Sequence, residues 1–433
     1  MLRFVTRIDR PARRSGSWDG TQDAASLGSL PESNFMTLQH NESLHDSRQQ
    51  FASKVRRIIW NNDGNDLAGL GPGEEVTEER FLAARFDGLA GSQVDAVSYC
   101  TGVFNHYSHR SEVSELLCSD LVPSRRLHEL HALGTDSLEL ASRHCRRHGR
   151  DIFWSMRMND THDSGVSAHE RALFTHWKRR HPDCLIAADG TEPPYAAGRW
   201  SALDYGCRAV REQVLRIIED VLLRYDIDGV ELDFFRHPHY FRPQFYGEKV
   251  REEDREMMSE LIAGIRNLID QFSAAAGRPL LVLVRVPDSL GYCGEIGLDL
   301  ARWVRSGWVD LVIGGGYFHL QPWGTFCPEI RAMGASVHAC LDGSRLESSE
   351  NPEAASQGES LWECEAALAW QSADGIYLFN RFRTTQSMFR RFGDPTQLPP
   401  STECARETAI RPGSWATPQR WLKGGDAFLD LPI

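Results

Sequence analysis

The stretch Asp228-Gly-Val-Glu-Leu-Asp-Phe-Phe-Arg236 carries two carboxylates two residues apart in a run rich in apolar residues. In an extended strand alternate side chains face opposite sides, so Val230, Leu232 and Phe234 form one apolar set and Glu231 and Asp233 share the other face. Two acids on one buried face are costly unless each has a partner or a task. Asp233 lies nearer the end of the run, where parallel barrels carry their chemistry. A pair of carboxylic acids can divide the roles of nucleophile or base and general acid.

The same alternation elsewhere supplies companions. Ser155, Arg157 and Asn159 alternate with Trp154, Met156 and Met158, and Arg285 stands between Val284 and Val286. His338, Cys340 and Asp342 alternate with Val337, Ala339 and Leu341. The implied mouth holds Glu231, Asp233 and Asp342 as candidate catalytic acids, with Arg157 and Arg285 as counter-charges. Two plainer roles stay open. Glu231, the deeper acid, would form a structural salt bridge with Arg157 or Arg285, and Asp342, which precedes Gly343, would be a turn aspartate.

Asn159, Asp160 and His162 follow the third strand-like run and suit the binding of substrate hydroxyls. Asn61, Asn62 and Asp63, at the end of the first run, read the same way, and Arg236 and Tyr317 complete the expected binding set. Asp160, His162 and Asp163 are also a mixed set able to ligate a divalent ion, but their spacing matches no specific metal motif. Neither a cofactor nor a resident metal is therefore expected. Gly314-Gly-Gly316 reads as space at a crowded rim in preference to an anion cradle.

Eight short strand-like runs position these residues: 57–62, 96–100, 151–157, 229–234, 280–286, 309–313, 336–341 and 375–379. Amphipathic stretches lie between them, such as 210–223, where apolar residues recur three and four apart. Strands alternating with helices are parallel, and eight of them close a (β/α)8 TIM barrel. A doubly wound open sheet is the alternative, but no Gly-x-Gly-x-x-Gly follows the first run. Residues 1–50 read as a loosely ordered arm, 51–395 as the barrel, and 396–433 as an extension, either a strap over the barrel or a stub. The longest loops, 158–205 and 236–250, carry Trp177, Tyr195, Trp200, Tyr205, Tyr240 and Phe241. These are able to stack on sugar rings, although for most of them packing the loops down is the simpler role.

A net charge of −12 over 433 residues argues against general nucleic-acid binding. The only lysines are Lys54, Lys178, Lys249 and Lys423, all outside the strand-like runs, which disfavours Schiff-base chemistry. No Gly-x-Ser-x-Gly elbow and no Walker pattern occur. The ten cysteines include no Cys-x-x-Cys pair and read as reduced thiols of a cytoplasmic protein. No secretory leader and no membrane-spanning run is visible, so no membrane partner is expected, and no oligomeric state is implied.

The run Tyr225-Asp-Ile-Asp-Gly-Val-Glu-Leu-Asp-Phe-Phe-Arg236 resembles the fourth-strand motif of the family 10-like glycosyl hydrolase proteins, which are bacterial barrels. Leu203-Asp-Tyr-Gly-Cys-Arg-Ala-Val-Arg211 is similar to the segment before that motif. Gly297-Leu-Asp-Leu-Ala-Arg-Trp-Val-Arg-Ser-Gly-Trp-Val-Asp-Leu311 is similar to the stretch between their fifth and sixth strands. The resemblance spans roughly residues 55–385 and implies a carbohydrate substrate, with Asp233 in the site. The chain departs from the large retaining clan: Leu232-Asp233 replaces its Asn-Glu pair, and Asp342 is the nearest acid where a glutamate would end the seventh strand. The expectation is a glycoside hydrolase of oligo- or polysaccharides. Its rivals are a carbohydrate-binding barrel without catalysis and a metal-dependent hydrolase or lyase built on the Asp160/His162 region.

Overall fold

Strands covered on both faces are rich in apolar residues, and the eight runs are, apart from the polar positions that enter the barrel or end the strands, such as Asn61, Ser155, Glu231, Asp233 and Asp342. In the computed structural model they form β1 (Ile58–Asp63), β2 (Val94–Cys100), β3 (Asp151–Arg157), β4 (Gly229–Asp233), β5 (Leu281–Val286), β6 (Leu311–Gly314), β7 (Ser336–Asp342) and β8 (Gly375–Phe379). The structure describes residues 45–63, 73–117, 122–165, 167–192, 199–346, 352–382, 385–404, 407–410 and 416–431. Each strand pairs in parallel with its sequence neighbours, and β8 returns to β1, so the sheet is a closed eight-stranded barrel. The expected TIM barrel is therefore the fold.

Helices cover the outside because each has one apolar stripe. In Arg208–Arg224 the buried residues include Val210, Val214, Ile217, Ile218 and Val221, and in Glu252–Ala276 they include Met258, Leu261, Ile262, Ile265 and Ile269. Both sets repeat every three or four residues, as one helix face does. The second helix stops at Gly277, whose φ of 64° is the left-handed conformation that glycine adopts without a Cβ clash.

Aspartates at the strand entrances fix the register. Asp95, Asp228, Asp310 and Asp374 accept the backbone N–H groups of Arg57, Ile152, Val282 and Val337, each at 2.8 Å. Arginines neutralise them: Arg57 lies 2.7 Å from Asp95, Arg146 2.7 Å from Asp228, and Arg266 3.0 Å from Asp310. Gly229 opens β4 because a Cβ there would lie 2.2 Å from the Leu281 carbonyl oxygen. This end of the barrel is built for stability, which leaves the opposite end for chemistry.

Two features differ from the sequence expectation. Of the N-terminal arm only residues 45–50 are described, and they are helical and docked, with Arg48 3.4 Å from both Asp270 and Asp310. Cys184 and Cys207 form a disulfide, so the cysteines are not all reduced thiols. The pair joins residues 23 apart, a connectivity that ten scattered cysteines do not reveal. The loop aromatics take the simpler of the two expected roles: Trp177, Trp200, Tyr205, Tyr240 and Phe241 are buried and pack the loops down, and Tyr195 lies outside the described residues.

The extension crosses the loops at the C-terminal ends of β4–β7. Ala409 accepts from His319 N–H at 2.8 Å, Pro418 from the Tyr292 hydroxyl at 2.9 Å, and Trp421 from Gln244 Nε2 at 2.8 Å. Among the described residues no helix is long and apolar enough to cross a membrane.

Candidate active site

Register decides which side chains enter the barrel. Ser155 and Arg157 of β3 stand beside Glu231 and Asp233 of β4, and Asp233 stands beside Arg285 of β5. Cys340 of β7 stands beside Tyr377 of β8, which places Asp342 one inward step nearer the mouth.

Asp233 is buried, and a guanidinium nitrogen of Arg285 lies 2.9 Å from each of its carboxylate oxygens. The backbone N–H of Phe235 donates to it at 2.8 Å. Gly316 gives Arg285 its space, since a Cβ there would sit 2.9 Å from Nη1, and a Cβ on Gly314 would meet the Phe326 ring. The glycine run thus makes room at the rim.

Glu231 has no salt bridge to Arg157 or Arg285, contrary to the simpler sequence reading. Hydroxyls hold it: Ser98 and Ser155 donate at 2.7 Å and Tyr377 at 3.0 Å. Complete burial, helped by the nearby Asp233 charge, pushes its carboxyl up to about 7, against the lowering effect of those hydroxyls.

Asp342 is fully buried. Its Oδ1 accepts from Ser344 N–H at 2.7 Å and from Asn380 Nδ2 at 3.2 Å, whereas Oδ2 has no partner among the described residues. Burial raises its carboxyl above the ordinary range despite the opposing pull of Arg285. The turn contact to Ser344 is real, but it leaves one oxygen available for other work.

The third and fourth loops build a second cluster beside these acids. Arg157 turns to Asp160, with Nη1 2.6 Å from Oδ2, instead of pairing with Asp233. Asp160 Oδ1 accepts from His162 N–H at 2.9 Å and from His162 Nδ1 at 2.7 Å. Burial alone would raise the Asp160 carboxyl, but His162 and Arg157 outweigh it and hold it well below the usual range. Arg236 reaches the Tyr317 hydroxyl with Nη1 and lies 3.3 Å from His162 Nε2 with Nη2. His237, which sequence reasoning missed, accepts the Thr161 N–H at 2.9 Å, and burial lowers its pKa well below the usual value.

Asp160, His162 and His237 offer ligand atoms within 4.8 Å of one another, a set able to hold a divalent ion. Asp163, expected among them, is instead bound to Lys178 at 2.6 Å and to Ser201. Arg157 and Arg236 flank the set and oppose a dication by charge repulsion.

Two of the expected binding residues serve the scaffold. Asn62 pairs in register with Tyr99, beside the Ser98–Asn61 pair that faces inward, and therefore faces the helices; its side-chain oxygen accepts from Arg85. Asn61, named in the same group, takes the inward position beside Ser98. Asn159 uses its amide on the backbone, receiving Leu203 N–H at 2.8 Å and donating to the Leu203 and His239 carbonyls. Asp63 ends β1, but its side chain lies outside the described residues.

No protein-family model and no curated protein matches the chain. Solved structures that resemble it include a glycoside hydrolase family 18 N-acetylglucosaminidase from Paenibacillus barengoltzii, at 11% identity over 79% of this chain and 100% of that one, with a TM-score of 0.43. Another is the PgaB (BpsB) glycoside hydrolase domain from Bordetella bronchiseptica, at 10% identity over 77% and 96%, also with a TM-score of 0.43. A third is a family 18 chitinase from Cycas revoluta, at 9% identity over 79% and 99%, again with a TM-score of 0.43. Likeness at this level assigns no activity to the chain.

Proposed function

We propose that the protein is a glycoside hydrolase of oligo- or polysaccharides, with Asp233 as nucleophile or general base and Asp342 as general acid. One observation carries the reading: the barrel mouth holds two buried carboxyls with different partners. Asp233 is ion-paired with Arg285, whereas burial raises the pKa of Asp342, which has a buried oxygen without a partner among the described residues. Glycosidic cleavage needs this division, one group acting as a carboxylate and the other delivering a proton to the leaving oxygen. Glu231 sits beneath Asp233 as its buried, hydroxyl-bound support. The metal-dependent alternative rests on the Asp160–His162–His237 set, and the neighbouring guanidiniums weigh against it.

A panel of oligosaccharides incubated with wild type and with Asp233→Asn tests the proposal. Wild type is expected to release reducing ends from at least one glycan, and Asp233→Asn to lose that activity by about 100-fold or more. Unchanged turnover by Asp233→Asn would overturn it.

A further inference from the structure

We infer that the cluster built by Arg236, His162, Tyr317 and Arg199 binds an anionic substituent of the glycan, so that the substrate is an acidic saccharide. The inference rests on the hydrolase reading above and names the substrate class for that site.

Charge pairing around the mouth is uneven. Arg285 is matched by Asp233 and Arg157 by Asp160. Arg236 and Arg199 make no ion pair with an acid among the described residues. Arg236 meets the neutral Tyr317 hydroxyl and His162, and its buried Nε has no partner. Arg199 donates to the Thr161 carbonyl at 3.1 Å. Both guanidiniums act electrostatically on the same ring, His237, so they belong to one locality. Two cations without acids among the described residues, in a chain of net charge −12, mark a place suited to an anion from outside.

The locality adjoins the reacting acids. Arg157 feels Asp233, Asp160 and Arg236 together, and its register partner on β4 is Asp233. His162 is about two-fifths exposed, so solvent and ligand reach the cluster. Asp160 holds His162 by Nδ1, which turns Nε2 toward Arg236. An arriving carboxylate or sulfate would meet Arg236, the Tyr317 hydroxyl and the His162 ring edge, a charge-assisted set. The same charges that disfavour a metal ion favour this ligand.

Titration calorimetry on the full chain tests the inference with two matched pairs of tetrasaccharides: a uronate and its carboxyl-reduced form, and a sulfated glycan and its desulfated form. At least one acidic member is expected to bind about tenfold or more tightly than its neutral twin, and that pair identifies the anion. Arg236→Gln should abolish the preference and Tyr317→Phe should reduce it several-fold. If Arg236→Gln does not fold, Tyr317→Phe decides alone. Equal affinity within both pairs, no binding by any member, or a preference unchanged in these variants overturns the inference. Cleavage of neutral and acidic glycans alike would overturn it and leave the hydrolase reading standing. Tight binding of acidic glycans with no cleavage of any glycan would do the reverse.

Discussion

Asp233 and Arg285 stand opposite each other in the register of β4 and β5, and one guanidinium nitrogen lies 2.9 Å from both carboxylate oxygens. The arginine is fully buried and packs 3.9 Å from the centre of the Phe379 ring. Neither ion has water to fall back on, so each depends on the other. Arg285→Met should therefore cost about 3–5 kcal/mol of stability, measured by denaturant unfolding. Adding Asp233→Asn should return much of that loss, because the uncompensated charge is then gone. Equal instability of the single and double variants would contradict the pairing.

Glu231 gives a pH signature. Its carboxyl rises from the ordinary 4.5 to about 7 in the folded chain, so the folded state binds more protons between those values. The contribution to stability is fully present below about 4.5 and is lost as pH climbs through 7. Glu231→Gln should then gain on wild type across that window, by on the order of 3 kcal/mol. Unfolding curves collected from pH 4 to 8 check this, and parallel profiles for the two proteins would refute it.

Much of this was legible in the sequence, because the period of a strand is two and leaves little freedom. Counting by twos places Glu231, Asp233, Arg157, Arg285 and Asp342 inside, as the register confirms. Asn62 is hard to place because the polar Asn61-Asn62-Asp63 cluster hides the alternation that turns it toward the helices. Asn159 lies two residues beyond the inward Arg157 and past the strand's end, where the chain has turned and parity no longer holds. The partners of Glu231 on β2, β3 and β8 are brought together only by barrel closure. His237 comes from a loop whose path no local pattern specifies.

Glu407 gives a further prediction. His319 lies between Asp288 Oδ2 at 2.5 Å and Glu407 Oε2 at 2.9 Å. Burial would lower its pKa, but the two carboxylates outweigh it and raise it. The clamp is fully formed below the ordinary histidine value of 6.5 and weakens as pH rises through the elevated one. Hydrogen exchange at residues 407–410 should accelerate on that alkaline side, and Glu407→Gln should move the onset to lower pH. Exchange that is indifferent to both would rule the clamp out.

Asn159 separates scaffold from substrate contact. Asn159→Ala strips partners from Leu203 and His239 and should lower stability by about 1–3 kcal/mol. At temperatures where the variant stays folded, KM for any cleaved glycan should hold at the wild-type value. A raised KM with unchanged stability would return Asn159 to the binding set.

The division of labour between Asp233 and Asp342 is the central claim, and leaving-group dependence tests it most directly. A dinitrophenyl glycoside departs without a proton, whereas a sugar leaving group requires one. The measurement is kcat/KM for Asp342→Asn on an aryl glycoside with that activated leaving group and on the matching oligosaccharide. The account predicts a loss of about 100-fold or more on the oligosaccharide and little loss on the activated substrate. Equal losses on both substrates, or none on the oligosaccharide, would contradict Asp342 as the acid.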